Sequence, residues 1–300
     1  MPMSDPARPD PLSLQPPLPD IAAQAAADVA RALAEDVGSG DLTAALVDPG
    51  LRMRARVIAR EPAVVCGEPW VRAAVHALDP AAQWHWRVPD GQRVERDGVV
   101  FEVEAHARAL LSAERTALNF LQTLSAVATQ TARYVAAVAG TRARVCDTRK
   151  TLPGLRVAQK YAVRTGGGLN HRMGLHDAVL IKENHIVAAG GVRAALARVQ
   201  ALAPQALFVQ IEVETLAQLR DALDGGARVV LLDNMDLPTL REAVALNDAH
   251  PGGGAVLEIS GGVNLQTVRA LAETGVDRIS VGALTKDVQA IDLSMRLHPL

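Results

Sequence analysis

Apolar and polar side chains alternate along short runs in the first third of the chain. In residues 53–60, arginine alternates with apolar residues, which is the period of a strand with one buried face. Runs at 64–66, 83–88 and 99–103, together with the turn residues Asp90-Gly91, predict further strands. Up to about residue 111 the pattern therefore predicts an antiparallel α+β unit.

A helical period flanks these strands on both sides. Asp20 is a suitable N-cap, and apolar residues of 21–37 lie on one side of a helix that ends at Gly38. A longer helical stretch is predicted from Ser112, which can act as a cap, to residue 139, with a break near Ser125. Residues 1–19 are rich in proline, and we expect them to form a disordered tail.

After residue 140 the chain alternates strand, loop and helix. The apolar runs are short, rich in Val, Ile and Leu, and not alternating, as in parallel strands buried on both faces. The predicted strands are 144–146, 178–181, 209–213, 229–232, 256–259 and 278–281. The predicted helices are 155–165, 192–202, 215–224, 238–247 and 264–274. Six such units favour a parallel α/β barrel, although the pattern alone leaves a doubly wound sheet open.

The composition restricts the class of partner. Of the 300 residues, 49% are hydrophobic and 21% are charged, with a net charge of −2, so we expect a globular enzyme without a nucleic-acid partner. No apolar run approaches the roughly 18 residues of a membrane helix, and no membrane partner is expected. Cys66 and Cys146 show neither disulfide nor zinc spacing, which favours a reducing, cytoplasmic setting.

Polar and charged residues follow each predicted strand of the second part. In an α/β barrel the carboxyl ends of the strands meet at one mouth, where active sites lie. These residues are Asp147-Thr148-Arg149-Lys150, Lys182-Glu183-Asn184-His185, Glu212 with Glu214, Asp233-Asn234, Ser260-Gly261-Gly262 and Gly282-Ala283. Any one of them alone fits a surface loop, but six consecutive strand ends of this kind predict an active site.

The last two of these loops are suited to a phosphate group. Small residues at 260–262 and 281–283 let backbone N–H groups approach an anion, and the first loop precedes a helix predicted to start near Asn264. Phosphate sites in barrels often form at these last loops. The glycines would also serve as simple turns, so the prediction depends on their position in the chain.

Basic residues are crowded around the first two strand ends. They are Arg149, Lys150, Arg156, Lys160, Arg164, Arg172 and Lys182, with His171 beside Arg172. Arginine pairs bidentately with carboxylates, and lysine provides a compact charge for phosphates. Such cations would repel one another without an anionic ligand, so the substrate should carry several negative charges. Glu212 and Asp233, across the same mouth, suit ribose hydroxyls or magnesium.

Seven motifs, in this order, resemble one enzyme family. They are SAERTALNFLQ (112–122), DTRKTLP (147–153), GGGLNHRMGL (166–175), AVLIKENH (178–185), IEVET (211–215), LLDNM (231–235) and EISGG (258–262). The chain resembles quinolinate phosphoribosyltransferase, also called nicotinate-nucleotide pyrophosphorylase (carboxylating), from about residue 30 to about residue 295.

The resemblance implies a two-domain subunit of at least a homodimer. An N-terminal α+β open sandwich at 20–125 would follow the tail at 1–19, and an incomplete parallel α/β barrel would occupy 126–285. Residues 286–300 would pack back on the N-terminal domain. The implied reaction converts quinolinate and phosphoribosyl pyrophosphate into nicotinate mononucleotide, pyrophosphate and CO2, using Mg2+, in de novo NAD synthesis.

The resemblance also assigns residues to the pyridine substrate. Arg115 would enter the quinolinate site of the neighbouring subunit. Arg149, His171 and Arg172 would hold the two carboxylates, and Thr148 belongs to the same substrate-binding loop.

A second set would bind phosphoribosyl pyrophosphate. Lys182 would lie near both substrates, Lys150 at the pyrophosphate end, and Glu212 and Asp233 at the ribose hydroxyls and the metal; these four are the candidate catalytic residues. The 5′-phosphate would be bound by Ser260, Gly261, Gly262, Val281, Gly282 and Ala283. Lys286, where we expect histidine in this family, leaves the detail of the phosphate end open.

Three other functions stay open at this point. A related phosphoribosyltransferase acting on another pyridine carboxylate, such as nicotinate, would need fewer cations. Lys182 at a strand end could form a Schiff base, as in barrel lyases. A non-catalytic regulator would bind phosphoribosyl pyrophosphate without turnover.

Overall fold

The computed structural model describes residues 8–202 and 205–300. Within this part the chain forms two compact units. The barrel unit comprises residues 8–17, Arg133–Lys150 and Gly168–Ala283. The sandwich unit comprises Leu18–Ala132, Thr151–Gly167 and Leu284–Leu300.

The described residues form twelve strands, ten α-helices and two 3-10 helices. The strands are β1 (Arg52–Ala59), β2 (Ala63–Val64), β3 (Gln83–Trp86), β4 (Arg93–Val94), β5 (Val99–His106), β6 (Arg144–Cys146), β7 (Val179–Ile181), β8 (Val209–Val213), β9 (Val229–Asp233), β10 (Val256–Ser260), β11 (Arg278–Ser280) and β12 (Leu293–Pro299). The α-helices are α1 (Ile21–Asp36), α2 (Glu68–His76), α3 (Ala107–Ala137), α4 (Arg156–Thr165), α5 (Glu183–Ala189), α6 (Val192–Leu202), α7 (Leu216–Asp224), α8 (Leu237–Asp248), α9 (Val268–Ala272) and α10 (Ala283–Lys286). The 3-10 helices are Pro11–Leu14 and Ala44–Leu46.

The sandwich unit is built on an antiparallel sheet with the strand order β12-β1-β5-β3. Arg54 and Arg56 of β1 stand opposite Glu104 and Glu102 of β5 and contact them at 2.6 and 2.8 Å. Ala55, between the two arginines, is fully buried. The alternating pattern therefore predicted this strand correctly: the apolar face meets the core and the arginines form a charged ladder on the other face. The C-terminal segment supplies β12, which pairs with β1.

The first helix is confirmed and the start of the long helix is wrong. Asp20 caps α1, where its carboxylate accepts the N–H of Ala22 at 2.9 Å. The long helix α3 begins at Ala107, directly after β5, and not at Ser112. The hydroxyl of Ser112 donates to the carboxylate of Asp41 at 2.8 Å and caps nothing.

The predicted break near Ser125 is absent, because α3 runs unbroken past this residue. The buried hydroxyl of Ser125 accepts the backbone N–H of Cys66 at 3.0 Å. The serine that was predicted to interrupt the helix therefore connects α3 to the loop before α2. The capping group of α2 comes from far along the chain: the Asp90 carboxylate accepts the N–H groups of Gly67 and Glu68 at 3.0 and 3.1 Å. This explains why the local pattern did not predict α2.

The barrel unit contains a six-stranded parallel sheet with the order β6-β11-β10-β9-β8-β7. All six strands predicted for this part are present. Sequence neighbours lie side by side from β7 to β11, and the first strand then pairs with the last, which is the order of a barrel opened between β6 and β7. A doubly wound sheet would reverse its strand order at a switch point. Within the described residues the sheet is thus an incomplete barrel that does not close.

The expectation of a disordered tail is wrong for residues 8–17, whereas residues 1–7 lie outside the described part. Leu14 is only 6% exposed and packs in a core cluster whose other members are Ala178, Phe208, Val229 and Val256. Arg8 contacts the carboxylate of Asp277 at 3.2 Å. The proline-rich composition concealed one apolar residue that fills the space beside the beginnings of the barrel strands.

Replacing Leu14 with alanine should lower the free energy of unfolding by about 2–4 kcal/mol, because it removes a buried side chain and leaves a cavity. Leu12→Ala is the matched control, since Leu12 lies in the same 3-10 helix and is 49% exposed. Urea unfolding followed by circular dichroism measures both. Equal stability of the two variants would contradict a packing role for Leu14.

No described helix is long and apolar enough to cross a membrane. Cys66 and Cys146 are both buried and carry free thiols. The cytoplasmic setting stays a prediction.

Candidate active site

A cavity of about 350 Å³ lies at the carboxyl ends of the barrel strands, within the size range of small-molecule sites. Its lining residues all belong to the barrel unit. They are Thr148, Arg149, Lys150, His171, Arg172, Leu180, Lys182, Glu212, Leu231, Glu258, Ser260 and Ser280. Eight of the site residues predicted from the sequence are thereby brought to one cavity: Thr148, Arg149, Lys150, His171, Arg172, Lys182, Glu212 and Ser260.

Cationic side chains dominate the cavity wall, which is lined by Arg149, Lys150, Arg172 and Lys182. Arg172 is only 8% exposed, and burial, followed by the charge of Arg149, lowers the pKa of its guanidinium. Bringing a second guanidinium close to a buried one costs energy unless an anion lies between them. The electrostatics of the cavity therefore favour a ligand with more than one negative charge.

A network of buried hydrogen bonds holds the His171–Arg172 segment. The fully buried carboxylate of Asp147 accepts the backbone N–H of His171 at 2.8 Å and the amide of Asn170 at 2.7 Å. The N–H of Arg172 donates to Nδ1 of His171 at 2.8 Å, so Nε2 carries the ring proton and donates to Oε1 of Gln210 at 2.8 Å. The imidazole is thus held in one neutral tautomer, and the backbone that carries Arg172 is fixed in place.

The two glycine loops are shaped for close approach. Gly261 and Gly262 have φ angles of 93° and 62°, a left-handed conformation that favours glycine. A side chain at Gly282 would place its Cβ 3.1 Å from Cδ of Lys150, so this glycine lets the lysine lie against the second loop. These features suit an anion bound by backbone N–H groups beside a lysine.

The helix predicted to start near Asn264 begins only at Val268. The side chain of Asn264 instead forms a turn, in which it accepts the N–H groups of Gln266 and Thr267, each at 3.0 Å. That prediction was wrong because asparagine side chains compete with helix formation by bonding to the nearby backbone. The first loop therefore has backbone N–H groups but no adjoining helix N-terminus to offer a phosphate.

Two acids lie at the carboxyl ends of the neighbouring strands β8 and β9. Burial, followed by the nearby charges of Asp233 and Glu183, raises the pKa of Glu212, although Lys182 acts in the opposite direction. Asp233 ends β9, and its carboxylate would lie 3.7 Å from a Cβ at Gly261. Among residues 8–202 and 205–300 no group of three or more His, Cys, Asp or Glu could hold a metal ion. Two neighbouring carboxylates fit a divalent cation that takes its remaining ligands from phosphate and water.

Several predicted site residues do not line the cavity. Arg115 belongs to α3 in the sandwich unit, where it is exposed and 3.8 Å from Glu114. Lys286, for which no role was predicted, also lies outside the cavity lining: it is exposed and forms an ion pair with Asp287 at 2.6 Å. The others are Asp233, which ends β9, and Gly261, Gly262, Val281, Gly282 and Ala283, which follow β10 and β11. The roles assigned to all of these residues stay predictions.

One charged group of the cavity was not predicted from the sequence. Glu258 and Ser280 line the cavity, and Arg278, which is fully buried, lies behind Glu258. The available signal was a charged residue inside a strand predicted to be buried on both faces, since such charges are rarely buried without a partner.

Two family models together match most of the chain. Residues 41–125 match the N-terminal domain of quinolinate phosphoribosyl transferase. Residues 127–296 match the C-terminal domain of the same enzyme.

Individual proteins show the same similarity. The chain is 43% identical over 288 residues to the nicotinate-nucleotide pyrophosphorylase (carboxylating) of Mycobacterium leprae, covering 93% of this chain and 100% of that one. It is 38% identical over 261 residues to the probable enzyme of that name from Bacillus subtilis, covering 87% and 89%. The solved structure of the nicotinate-nucleotide pyrophosphorylase from Francisella tularensis is similar with a TM-score of 0.88 and 40% identity, covering 97% and 100%.

Proposed function

The chain belongs to the quinolinate phosphoribosyltransferase family, and from this premise we propose that it transfers the phosphoribosyl group of phosphoribosyl pyrophosphate to quinolinate. The products are nicotinate mononucleotide, pyrophosphate and CO2. The reaction is a step of de novo NAD biosynthesis.

The observation that carries this proposal is the cationic cavity. Arg149, Lys150, Arg172 and Lys182 line it, and Arg172 is buried beside the charge of Arg149. Quinolinate has two carboxylates and phosphoribosyl pyrophosphate has several phosphate charges, so this pair of substrates offsets the repulsion. A pyridine with one carboxylate would leave more of the repulsion between these cations uncompensated.

The side chains divide into two groups. Arg149 and Arg172 bind the carboxylates of quinolinate, because guanidinium groups pair with them bidentately, and His171 and Thr148 complete this side. Lys150 lies against the loop of Gly282 and binds the phosphate end. Lys182, at the start of α5, serves both substrates.

The chemistry needs charge and positioning and no covalent intermediate. The pyridine nitrogen forms a bond to the anomeric carbon of ribose as the bond to pyrophosphate breaks, and the electron pair leaves with the pyrophosphate. The anomeric carbon passes through a cation-like state, as in glycoside hydrolysis, which the carboxylates of Glu212 and Asp233 stabilise. The quaternised ring then accepts the electrons of the bond to the adjacent carboxylate, which leaves as CO2 and is replaced by a proton.

Magnesium is part of the proposal. Glu212 and Asp233 would hold the ion together with oxygens of the substrate, which fits a pair of carboxylates on one side of the mouth. When bound, the ion offsets the negative charge of the departing pyrophosphate.

We also propose a homodimer, or a larger homo-oligomer, in which Arg115 of one subunit enters the quinolinate site of its neighbour. Support comes from the placement of Arg115 on the sandwich unit, with an exposed side chain, whereas every lining residue of the cavity belongs to the barrel unit.

Turnover with quinolinate and with nicotinate tests the function. With phosphoribosyl pyrophosphate and magnesium, quinolinate should give one CO2 per pyrophosphate, and kcat/KM for nicotinate should be at least about a hundredfold lower. Preference for nicotinate would show a related transferase instead. A borohydride-trapped adduct on Lys182 would show a Schiff-base enzyme, and binding without turnover would show a regulator.

A further inference from the structure

A buried carboxylate forms part of a cavity that should bind anions. Glu258, on β10, is 1% exposed and lines the cavity beside the cationic groups. An ionised carboxylate in this position would repel a dicarboxylate or a phosphate, and the low dielectric of the interior would strengthen the repulsion. The cavity therefore needs a means of cancelling this charge.

Arg278 is placed to provide it. It stands opposite Glu258 in the register of β10 and β11, is fully buried, and brings Nε to 3.2 Å from Oε2 of the glutamate. Its Nη2 lies 2.9 Å from Sγ of Cys146, and its Nε and Nη1 have no hydrogen-bond partner among the described residues. The guanidinium thus makes few hydrogen bonds for a buried arginine, and its main contribution is charge.

The groups around Glu258 keep it ionised. Burial acts to raise the pKa of Glu258, but the charge of Arg278 and a hydrogen bond from Ser280 lower it. Nε2 of His171 is 3.7 Å from Oε1, and the hydroxyl of Ser280 donates to the same oxygen. The neighbour in register on β9 is the apolar Leu231. Arg278 is thus the permanent positive charge at this carboxylate.

We propose that Arg278 is a positioning residue for anion binding: it neutralises Glu258, so that the base of the cavity does not repel the substrate. Arg278 itself does not line the cavity, and acts through Glu258. The proposed function enters only in the choice of quinolinate as the ligand.

The test compares Arg278→Met with the double variant Arg278→Met/Glu258→Gln. In the single variant Glu258 loses its partner and its pKa rises. At pH below that pKa the carboxyl is protonated and KM for quinolinate should stay near the wild-type value. As the pH rises through the pKa of Glu258, the carboxyl ionises, and KM of the single variant for quinolinate should increase to about tenfold or more above that of wild type. The double variant removes the uncompensated charge, and its KM should return to within about threefold of wild type at every pH.

A role limited to folding would give another result. If the folded double variant kept a KM more than about tenfold above wild type, or if the effect of Arg278→Met did not change with pH, the proposal would be wrong. If the single variant does not fold, the KM of the double variant still tests the proposal. The double variant should fold, because replacing both members of a buried ion pair by neutral groups is tolerated far better than removing one. Arg278→Lys, which keeps the charge, should show a KM independent of this ionisation.

Calorimetric binding of inorganic pyrophosphate to the same proteins separates this inference from the proposed function. If wild type failed to turn over quinolinate, the proposed function would fail. Weaker pyrophosphate binding by Arg278→Met, restored in the double variant, would still support the charge effect. Turnover by wild type without that restoration would reject the charge effect alone.

Discussion

Replacing Arg149 with alanine is expected to raise KM for quinolinate by a factor of about 30 to several thousand. Removing one partner of a desolvated charge pair costs about 2–5 kcal/mol, much of which reflects the carboxylate left unpaired. The change should fall mainly on quinolinate and less on phosphoribosyl pyrophosphate, because the guanidinium is assigned to the pyridine carboxylates. Steady-state kinetics with each substrate varied in turn measure the two values.

Arg220→Ala is the control for the loss of a surface arginine. Arg220 lies on α7, is exposed, and does not line the cavity. It should leave both KM values unchanged. If Arg149→Ala behaved like this control, Arg149 would not bind the substrate. The assignment of cavity residues to quinolinate and to phosphoribosyl pyrophosphate would then be wrong.

Mixing two inactive variants should restore activity if Arg115 acts in the neighbouring subunit. Arg115→Ala and Lys182→Ala subunits, co-refolded in equal amounts, form about half mixed dimers, and each mixed dimer has one site with both residues intact. The mixture should therefore recover roughly a quarter of the wild-type activity, as follows from the symmetry of a dimer with shared sites.

A mixture of Lys150→Ala with Lys182→Ala subunits is the matched control. Both lysines line the same cavity of one subunit, so every site in a mixed dimer lacks one of them and no activity should return. Recovery in this control would point to an artefact of refolding. Failure of the Arg115 mixture to exceed the control, although mixed dimers had formed, would reject a contribution from the neighbour.

The elements best predicted from the sequence are those whose signal is local. The alternating arginines of β1 and the uniform apolar runs of β6 to β11 each reflect which faces are buried, and burial follows from the side chains of the strand itself. The helix α2 was missed because its capping carboxylate, Asp90, lies more than twenty residues away in the chain. Leu14 was missed because its partners come from strands far along the sequence.

The candidate site divides in the same way. Arg149 and Lys182 come shortly after apolar strands, and Glu212 lies at the carboxyl end of one, so their position at the mouth could be inferred from the order of elements alone. Arg278 and Glu258 lie within strands, and only the parallel register of β10 and β11 places them opposite each other. The turn at Asn264 depends on one side chain bonding to its own backbone, which a helical period cannot distinguish from the start of a helix.

The pairing of β1 with β12 has a consequence for how the protein is made. A ribosome releases β1, β3 and β5 early, and these three strands can associate at once, whereas β12 is translated long afterwards. Until then the outer edge of β1 exposes backbone N–H and C=O groups that can template pairing with another nascent chain. The arginine side chains along this strand keep that edge charged and hydrated, a property that disfavours pairing between the edges of unfinished chains.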